Sequence, residues 1–533
     1  MNKIKIAIVG GGTAGWMAAS FFSKYYDGKN ITLIESPSIP KIGVGESVTP
    51  HVNSFFEEIG VDRHHWMKNT SAVYKLANKF IGWKEGKDES EFFSFNYTTQ
   101  ANNFYKDITQ VKSIEDFSKD TTNDRTTDYI LDLIKSQKIK KFDQYFNPQH
   151  HYMIQNVSPF NNKDCFLNSP FSYTHHINAE LAWLYLRDNV ALPRGVNHII
   201  SNVETINHND DHINYLVLSS GEQITADLFI DCTGFHKSII KHLNWPSKEY
   251  KNHSIDRAWV CQSIYSDQKT EMVNYSQTIA EPYGWRFKIG LYHRMGNGYC
   301  FSSQHYNESK ALEHLNKKLK NQKTTPKLVK WSPERLDKFA GGNVAAIGLS
   351  CGFIEPLEAN ALYVVVNSIR RLFKIIKENE QDKKFNFTVY NEKMKYTIDD
   401  IADFILLHYT LSSRSDTDFW KDMQSIGKKE DHESLLWEKY NNEKNSMHGA
   451  VNGFTMFPDY MWAQLAASWG LLNKFDKKLD KTTLMLAENY FRYSENKHEI
   501  IASTLENNYI WHKKHIFDNL EAKEWEKIYY GPK

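Results

Sequence analysis

The chain has 533 residues, past the size at which a single hydrophobic core stops growing, so one large composite domain or two to three smaller units are expected. Its 65 Lys and Arg nearly cancel 64 Asp and Glu, and a formal charge of +1 excludes the basic footprint needed to wrap nucleic acid. Cys165, Cys232, Cys261, Cys300 and Cys351 stand singly, without C-x-x-C or Cys/His spacing, so neither a disulfide framework nor a metal site is expected and the setting reads as a reducing cytoplasm.

Ile4 to Val9 reads as a short apolar strand, Gly10 to Gly15 as a tight turn, Trp16 to Tyr26 as a helix, and Ile31 to Ile34 as a second strand ending in Glu35. Together they make a βαβ unit. Because Lys3 to Val9 already alternates into that strand and no run of 18 apolar residues occurs, neither an export leader nor a membrane span is expected. Between about 85 and 170 the chain turns polar and charge-rich, as in Lys106 to Arg125, and reads as insertions carried on the core. Ala179 to Asn189 has helical spacing and leads to alternating runs at Ile199 to Ile206, His212 to Leu218 and Gln223 to Asp231, which read as a sheet. From Ala361 onward Val364, Val365, Ile369, Leu372, Ile375 and Ile376 recur at helical spacing, and the pattern stays helix-rich to Tyr530. The expected fold is α/β: a Rossmann-like module over 1–375 with embedded insertions and an additional sheet, then a helical region over 376–533.

Gly10-Gly11-Gly12-Thr13-Ala14-Gly15 fits G-x-G-x-x-G, in which glycines allow the turn, let backbone N–H groups reach a pyrophosphate, and let helix pack on strand. It follows a strand, opens a helix, and is matched about twenty residues on by Glu35, where an acceptor for a ribose hydroxyl belongs. Two further strands running into glycine, Ala226 to Gly234 and Gly342 to Gly348, resemble segments of FAD-dependent monooxygenase folds. FAD is therefore expected rather than NAD. No second glycine fingerprint appears, since Phe301 stands where Gly296 and Gly298 would need a third glycine. Either reduced flavin comes from a separate NAD(P)H-dependent reductase, which is the expectation, or NAD(P)H binds transiently without a fold of its own.

Gly284-Trp285-Arg286-Phe287-Lys288-Ile289-Gly290 resembles the W-x-W-x-I-P signature of flavin-dependent halogenases of the tryptophan-halogenase family, with Phe287 for the second Trp and Gly290 for the Pro. Gly43-Val44-Gly45-Glu46-Ser47, Gly348 through Glu358, and Leu407-His408-Tyr409 through Phe419-Trp420 resemble the same family. The resemblance implies FADH2, O2 and a halide ion as reactants, hypohalous acid made at the flavin, and an electron-rich aromatic substrate. It implies that Lys79, in Ala77-Asn78-Lys79-Phe80-Ile81-Gly82-Trp83, receives the hypohalous acid. Alternation puts Lys79 on the face of Ala77, Ile81 and Trp83, with Lys75 as its rival. Glu358 occupies the place of the second catalytic residue, which stabilises the cationic ring and takes up its proton.

Flavin contacts are expected at Gly10, Gly12, Thr13, Ala14, Gly15, Glu35, Val44, Gly45, Val203, Leu349 and Leu362, and halide contacts at Asn360 and Ala361. Here Ala359-Asn360-Ala361 stands where the family usually carries Ser-Thr and a small residue, so a preference for bromide or iodide is expected. Phe92, Phe93, Ser94, Phe95 and Asn96 lie where tryptophan-specific relatives hold the indole, with Phe454, Phe457, Tyr460 and Trp462 reading equally well as the opposite wall or as a helix core, so an indole- or phenol-like substrate is expected in place of free tryptophan. A carrier-tethered substrate and a homo-oligomer are both compatible with the sequence. Two other chemistries compete on the residues alone: an FAD monooxygenase that hydroxylates an aromatic, and a flavin-binding protein without catalysis.

Overall fold

The computed structural model describes residues 4–39, 45–85, 90–94, 126–146, 149–160, 173–445, 456–476, 478 and 480–530. It divides into two compact units, each assembled from three stretches of chain: 1–72, 177–257 and 329–402 in the first, and 73–176, 258–328 and 403–533 in the second. This differs from a division at residue 375, because helical spacing changes there while the packing does not.

The first unit is built on a six-stranded sheet in the order Ala340–Gly341, Val344–Ala346, Leu228–Asp231, Ile6–Val9, Ile31–Glu35 and Asn197–Ile200. Ile6–Val9 pairs in parallel with both Leu228–Asp231 and Ile31–Glu35. All four of its residues are buried, as expected of a short apolar run enclosed on both faces. The strand order reverses about Ile6–Val9, and in such sheets ligands bind at the carboxyl ends beside the reversal. The expected single sheet over Ile199 to Asp231 resolves into three parts: Asn197–Ile200 and Leu228–Asp231 join the parallel sheet, while Val203–Asn209, His212–Leu218 and Gln223–Ile224 form a separate antiparallel one. Helix Asn360–Glu378 also belongs to this unit, where Arg370 meets Glu58 at 2.8 Å.

The second unit carries a seven-stranded sheet in the order Lys327–Lys330, Arg257–Ser263, Met295–Phe301, Gly284–Gly290, Tyr275–Glu281, Ala77–Ile81 and Ser90–Ser94. The 85–170 region, expected as an excursion, supplies the edge strand Ser90–Ser94 and the helices Thr126–Lys135, Phe142–Phe146 and Gln149–Ile154. Among the described residues no helix is long and apolar enough to cross a membrane.

The halogenase-like signature strand lies inside this sheet, and its departures have a packing reason. Phe287 pairs directly with Gly298, and a Cβ on Gly298 would overlap the Phe287 ring, so the phenyl fills the space that the glycine leaves. At Gly290 a Cβ would stand 2.9 Å from the Tyr265 hydroxyl, which donates to the Leu291 carbonyl at 2.7 Å. Gly298→Ala is expected to cost about 1–3 kcal/mol through overpacking, read as a lower Tm, with most of the loss recovered in Gly298→Ala combined with Phe287→Leu.

Candidate active site

At the carboxyl edge of the parallel sheet the chain leaves Val9 into Gly10, whose φ of +120° and contact with the Cys232 carbonyl exclude a side chain. A Cβ on Gly15 would overlap the Gly10 carbonyl oxygen, so helix Thr13–Tyr25 can approach the strand only with glycine there. Gly12 is different. Its Cβ would meet nothing within 4 Å, so that space is open toward a ligand. The same Gly12 is the N-cap and supplies no capping side chain, leaving first-turn N–H groups for an anion.

Val9, Gly10, Gly12, Thr13 and Ala14 line a cavity of about 390 Å3 together with Glu35, Ser36, Val203, Cys232, Leu349, Ala361 and Leu362, whereas Gly15 is not in the lining and serves the helix–strand contact. Glu35 packs against Gly11, and His198 on the neighbouring strand donates from Nε2 to its carboxylate at 3.1 Å. The Trp16 ring meets that imidazole edge-on at 4.9 Å. Asp231 orders the opposite wall, accepting from the Thr233 N–H at 2.9 Å, the Thr233 hydroxyl at 2.7 Å, the Ser350 hydroxyl at 3.0 Å and the Ile239 and Ile240 N–H groups. Half-buried Glu46 also lines the cavity, and burial pushes its carboxyl up to about 7. An open glycine, an uncapped helix terminus and a fixed carboxylate suit a pyrophosphate and a ribose, so the cavity fits FAD. Gly45 is buried in strand Gly45–Ser47 and Val44 lies outside the described residues.

Glu358 and Ala359 both adopt left-handed backbone, with φ of 65° and 57°. Such conformations cost roughly 1–3 kcal/mol per non-glycine residue and need enforcement. Asn360 provides it: its buried side-chain amide donates to the Glu355 carbonyl at 2.9 Å and the Leu357 carbonyl at 2.8 Å. The Asn360 side chain is thus committed to its own loop, which leaves the backbone N–H groups opening helix Asn360–Glu378 as the donors for an anion. Glu358 is 5% exposed.

In the second unit Lys79 stands on Ala77–Ile81, half-buried, with Nζ 4.9 Å from the Phe92 ring centre and 5.4 Å from that of Tyr275. The register explains this, since Lys79 pairs with Phe92 on one side and Gln277 on the other, and Tyr275 shares the Lys79 face. Burial first, then the charge of Lys141, lowers the Lys79 pKa. Two expectations about this strand are corrected. Lys75 ends a separate strand, Val73–Lys75, in another sheet and is fully buried, so it does not share the Lys79 face. Gly82, at φ +70°, turns Trp83 to the Phe80 side, where the rings lie 5.3 Å apart.

The expected substrate wall divides. Phe92 and Ser94 lie on the Lys79 face, Ser94 donating to Asp143, which His150 also meets at 3.1 Å. Phe93 points the opposite way, into Phe80, His408 and Trp469. Phe457 stacks on Phe404 at 3.9 Å, Trp462 meets Phe404 edge-on at 4.8 Å, and Tyr460 is buried beside them in sequence. Phe404 touches His408 at 4.9 Å, so Phe457 and Trp462 extend the cluster on the Phe80 side and are not brought to Lys79. Phe95, Asn96 and Phe454 lie outside the described residues.

The family model for tryptophan halogenase matches residues 5–483. A tryptophan 7-halogenase of Lentzea aerocolonigenes is 30% identical over 431 residues, 78% of each chain, and a tryptophan 6-halogenase of Streptomyces albogriseolus is 27% identical over 79% of each. The chain belongs to the tryptophan halogenase family. Among solved structures, a flavin-dependent halogenase of Xanthomonas campestris superposes with a TM-score of 0.80 at 24% identity, covering 96% of this chain and 98% of that one, which shows the shared fold. The protein is a flavin-dependent halogenase that acts on an aromatic substrate with FADH2, O2 and halide, the flavin being reduced by a separate reductase.

Sequence reasoning alone missed His198, Asp231, Glu46 and Tyr275. Asp231 had a signal, an acid at the end of a strand just before Thr-Gly; Tyr275 had none, because only strand register brings it to Lys79. Gly12→Ala is expected to leave the Tm of the flavin-free protein nearly unchanged while weakening FAD binding at least tenfold in a fluorescence titration. Gly15→Ala is expected to lower that Tm outright, and equal effects of the two would contradict this geometry.

Proposed function

We propose that Lys79 is the residue that receives hypohalous acid and presents its halogen to the aromatic substrate, and that Glu358 takes up the ring proton. The carrying observation is the setting of Lys79, a half-buried amine held against two aromatic rings with its pKa lowered by desolvation and by Lys141. Reduced FAD, when bound, supplies with O2 the oxidation of halide to hypohalous acid. Desolvation favours the neutral amine, which has a lone pair for the halogen. Glu358, held in a fixed and strained turn, offers a carboxylate in a set direction.

The N–H groups opening helix Asn360–Glu378, with Ala361 at the cavity, would hold the halide. With Asn360 folded back on its own loop, no hydroxyl from that position competes for the ion, which supports bromide or iodide over chloride. The substrate reading is an indole or a phenol in place of free tryptophan, supported by the Phe92, Ser94 and Tyr275 face around Lys79.

Product formation from indole should fall by about 10²- to 10⁴-fold in Lys79→Ala and in Glu358→Gln, with FAD binding retained. In the parent enzyme under equimolar halides, bromination should exceed chlorination by mass spectrometry. Chlorinated product in excess removes the halide reading, and full activity of Lys79→Ala removes the role of the lysine. The pH dependence carries a sign as well. If the neutral amine is the working form, activity rises with pH through the Lys79 pKa. Lys141→Gln removes a repelling cation and should move that limb to higher pH.

A further inference from the structure

Lys79 has two aromatic neighbours that differ in one chemical respect. The Phe92 ring, 4.9 Å from Nζ, carries no activating group, whereas the Tyr275 ring, 5.4 Å away, is a phenol and hence an electron-rich arene of the kind this enzyme class halogenates. Both positions are fixed by backbone pairing, Phe92 directly across from Lys79 and Tyr275 opposite Ala77 on the parallel strand. The two rings also brace one another edge-on, with centres 5.2 Å apart. The Tyr275 ring centre lies 5.4 Å from Nζ, so the ring is an immediate neighbour within reach of an atom carried on the nitrogen.

We propose that Tyr275 is an internal acceptor of the halogen held at Lys79, so that in the absence of organic substrate the enzyme halogenates its own Tyr275 ring. The inference rests on the Lys79 reading above. The atoms balance with the reagents of the established activity. Neutral Lys79 reacts with hypobromous acid, forming N–Br and releasing water. The Tyr275 ring then attacks bromine through a carbon ortho to the hydroxyl. The N–Br electron pair stays on nitrogen, and the displaced ring proton ends there. The sum is one arene C–H and one HOBr giving one C–Br and one water.

Burial raises the Tyr275 hydroxyl pKa, which keeps it a phenol and not the far more reactive phenolate. The ring is therefore a slower acceptor than a good substrate, and labelling accumulates only when substrate is missing. Phe92, nearer but unactivated, stays unmodified.

The test is peptide mapping of the full-length enzyme after turnover with FAD, a flavin reductase, NADH, O2 and bromide, with and without indole. Without indole, the peptide holding Tyr275 should gain a single bromine on the tyrosine ring. Indole should suppress that label at least fivefold, and Lys79→Ala and Tyr275→Phe should both lack it. Bromine on Tyr275 at equal levels in Lys79→Ala would mean freely diffusing hypobromous acid and would overturn the proposal. An unlabelled Tyr275 in an enzyme that brominates indole only when Lys79 is present would overturn it too, while leaving the role of Lys79 standing. Indole bromination that survives in Lys79→Ala would remove the lysine reading itself, and the proposal with it.

Discussion

The cofactor unit depends on one close approach, the Gly15 Cα against the Gly10 carbonyl. A single Cβ there would push the helix Thr13–Tyr25 off the strand Ile6–Val9, and the cavity exists because that helix begins where the strand ends. The other wall answers to it: Gly10 in turn rests against the Cys232 carbonyl, and the loop after Cys232 is set by the five hydrogen bonds that converge on Asp231. Tight backbone contact on one side and a saturated carboxylate on the other produce a rigid rim of peptide N–H groups, which needs no cationic side chain to receive a phosphate.

The two proposed catalytic groups are prepared by opposite means. Lys79 is tuned by its surroundings, since desolvation and a neighbouring cation weaken its hold on the proton while the faces of Phe92 and Tyr275 favour the ammonium. Glu358 is instead fixed by backbone geometry. Two consecutive left-handed residues without glycine persist because Asn360 ties two carbonyls of the same loop. The replacement of the family's usual Ser-Thr by Ala359-Asn360 thus has a structural reading, in which an amide does the work of closing the turn.

The βαβ unit is legible in the sequence because strand, glycine turn, helix and acid follow within 35 residues, and local contacts carry it. The six-stranded order is not, since Leu228–Asp231 and Val344–Ala346 come from more than 200 residues away and only their apolar runs hint at burial. Lys79 is legible through resemblance and not through alternation. The spacing of Lys75, Ala77 and Lys79 suggests one strand, but at Leu76 the N–H turns to the Asn274 carbonyl and the chain changes sheets. Phe92 and Phe93 show the same limit: adjacency in sequence does not say that one ring faces the lysine and the other the core, because that needs the register with Ala77–Ile81. Phe457 and Trp462 read equally well as wall or core, and in the fold both pack on Phe404.

The chain passes between its two units at 72/73, 176/177, 257/258, 328/329 and 402/403. No single cut therefore releases either unit by itself: a fragment ending near 375 would carry all six strands of the nucleotide-binding sheet and also all seven strands of the other unit's sheet, without the helices that 403–533 supplies to that second unit. Such interleaving makes the protein indivisible by truncation. It also restricts how the architecture can change, because neither unit can be exchanged for a foreign domain by joining one pair of ends.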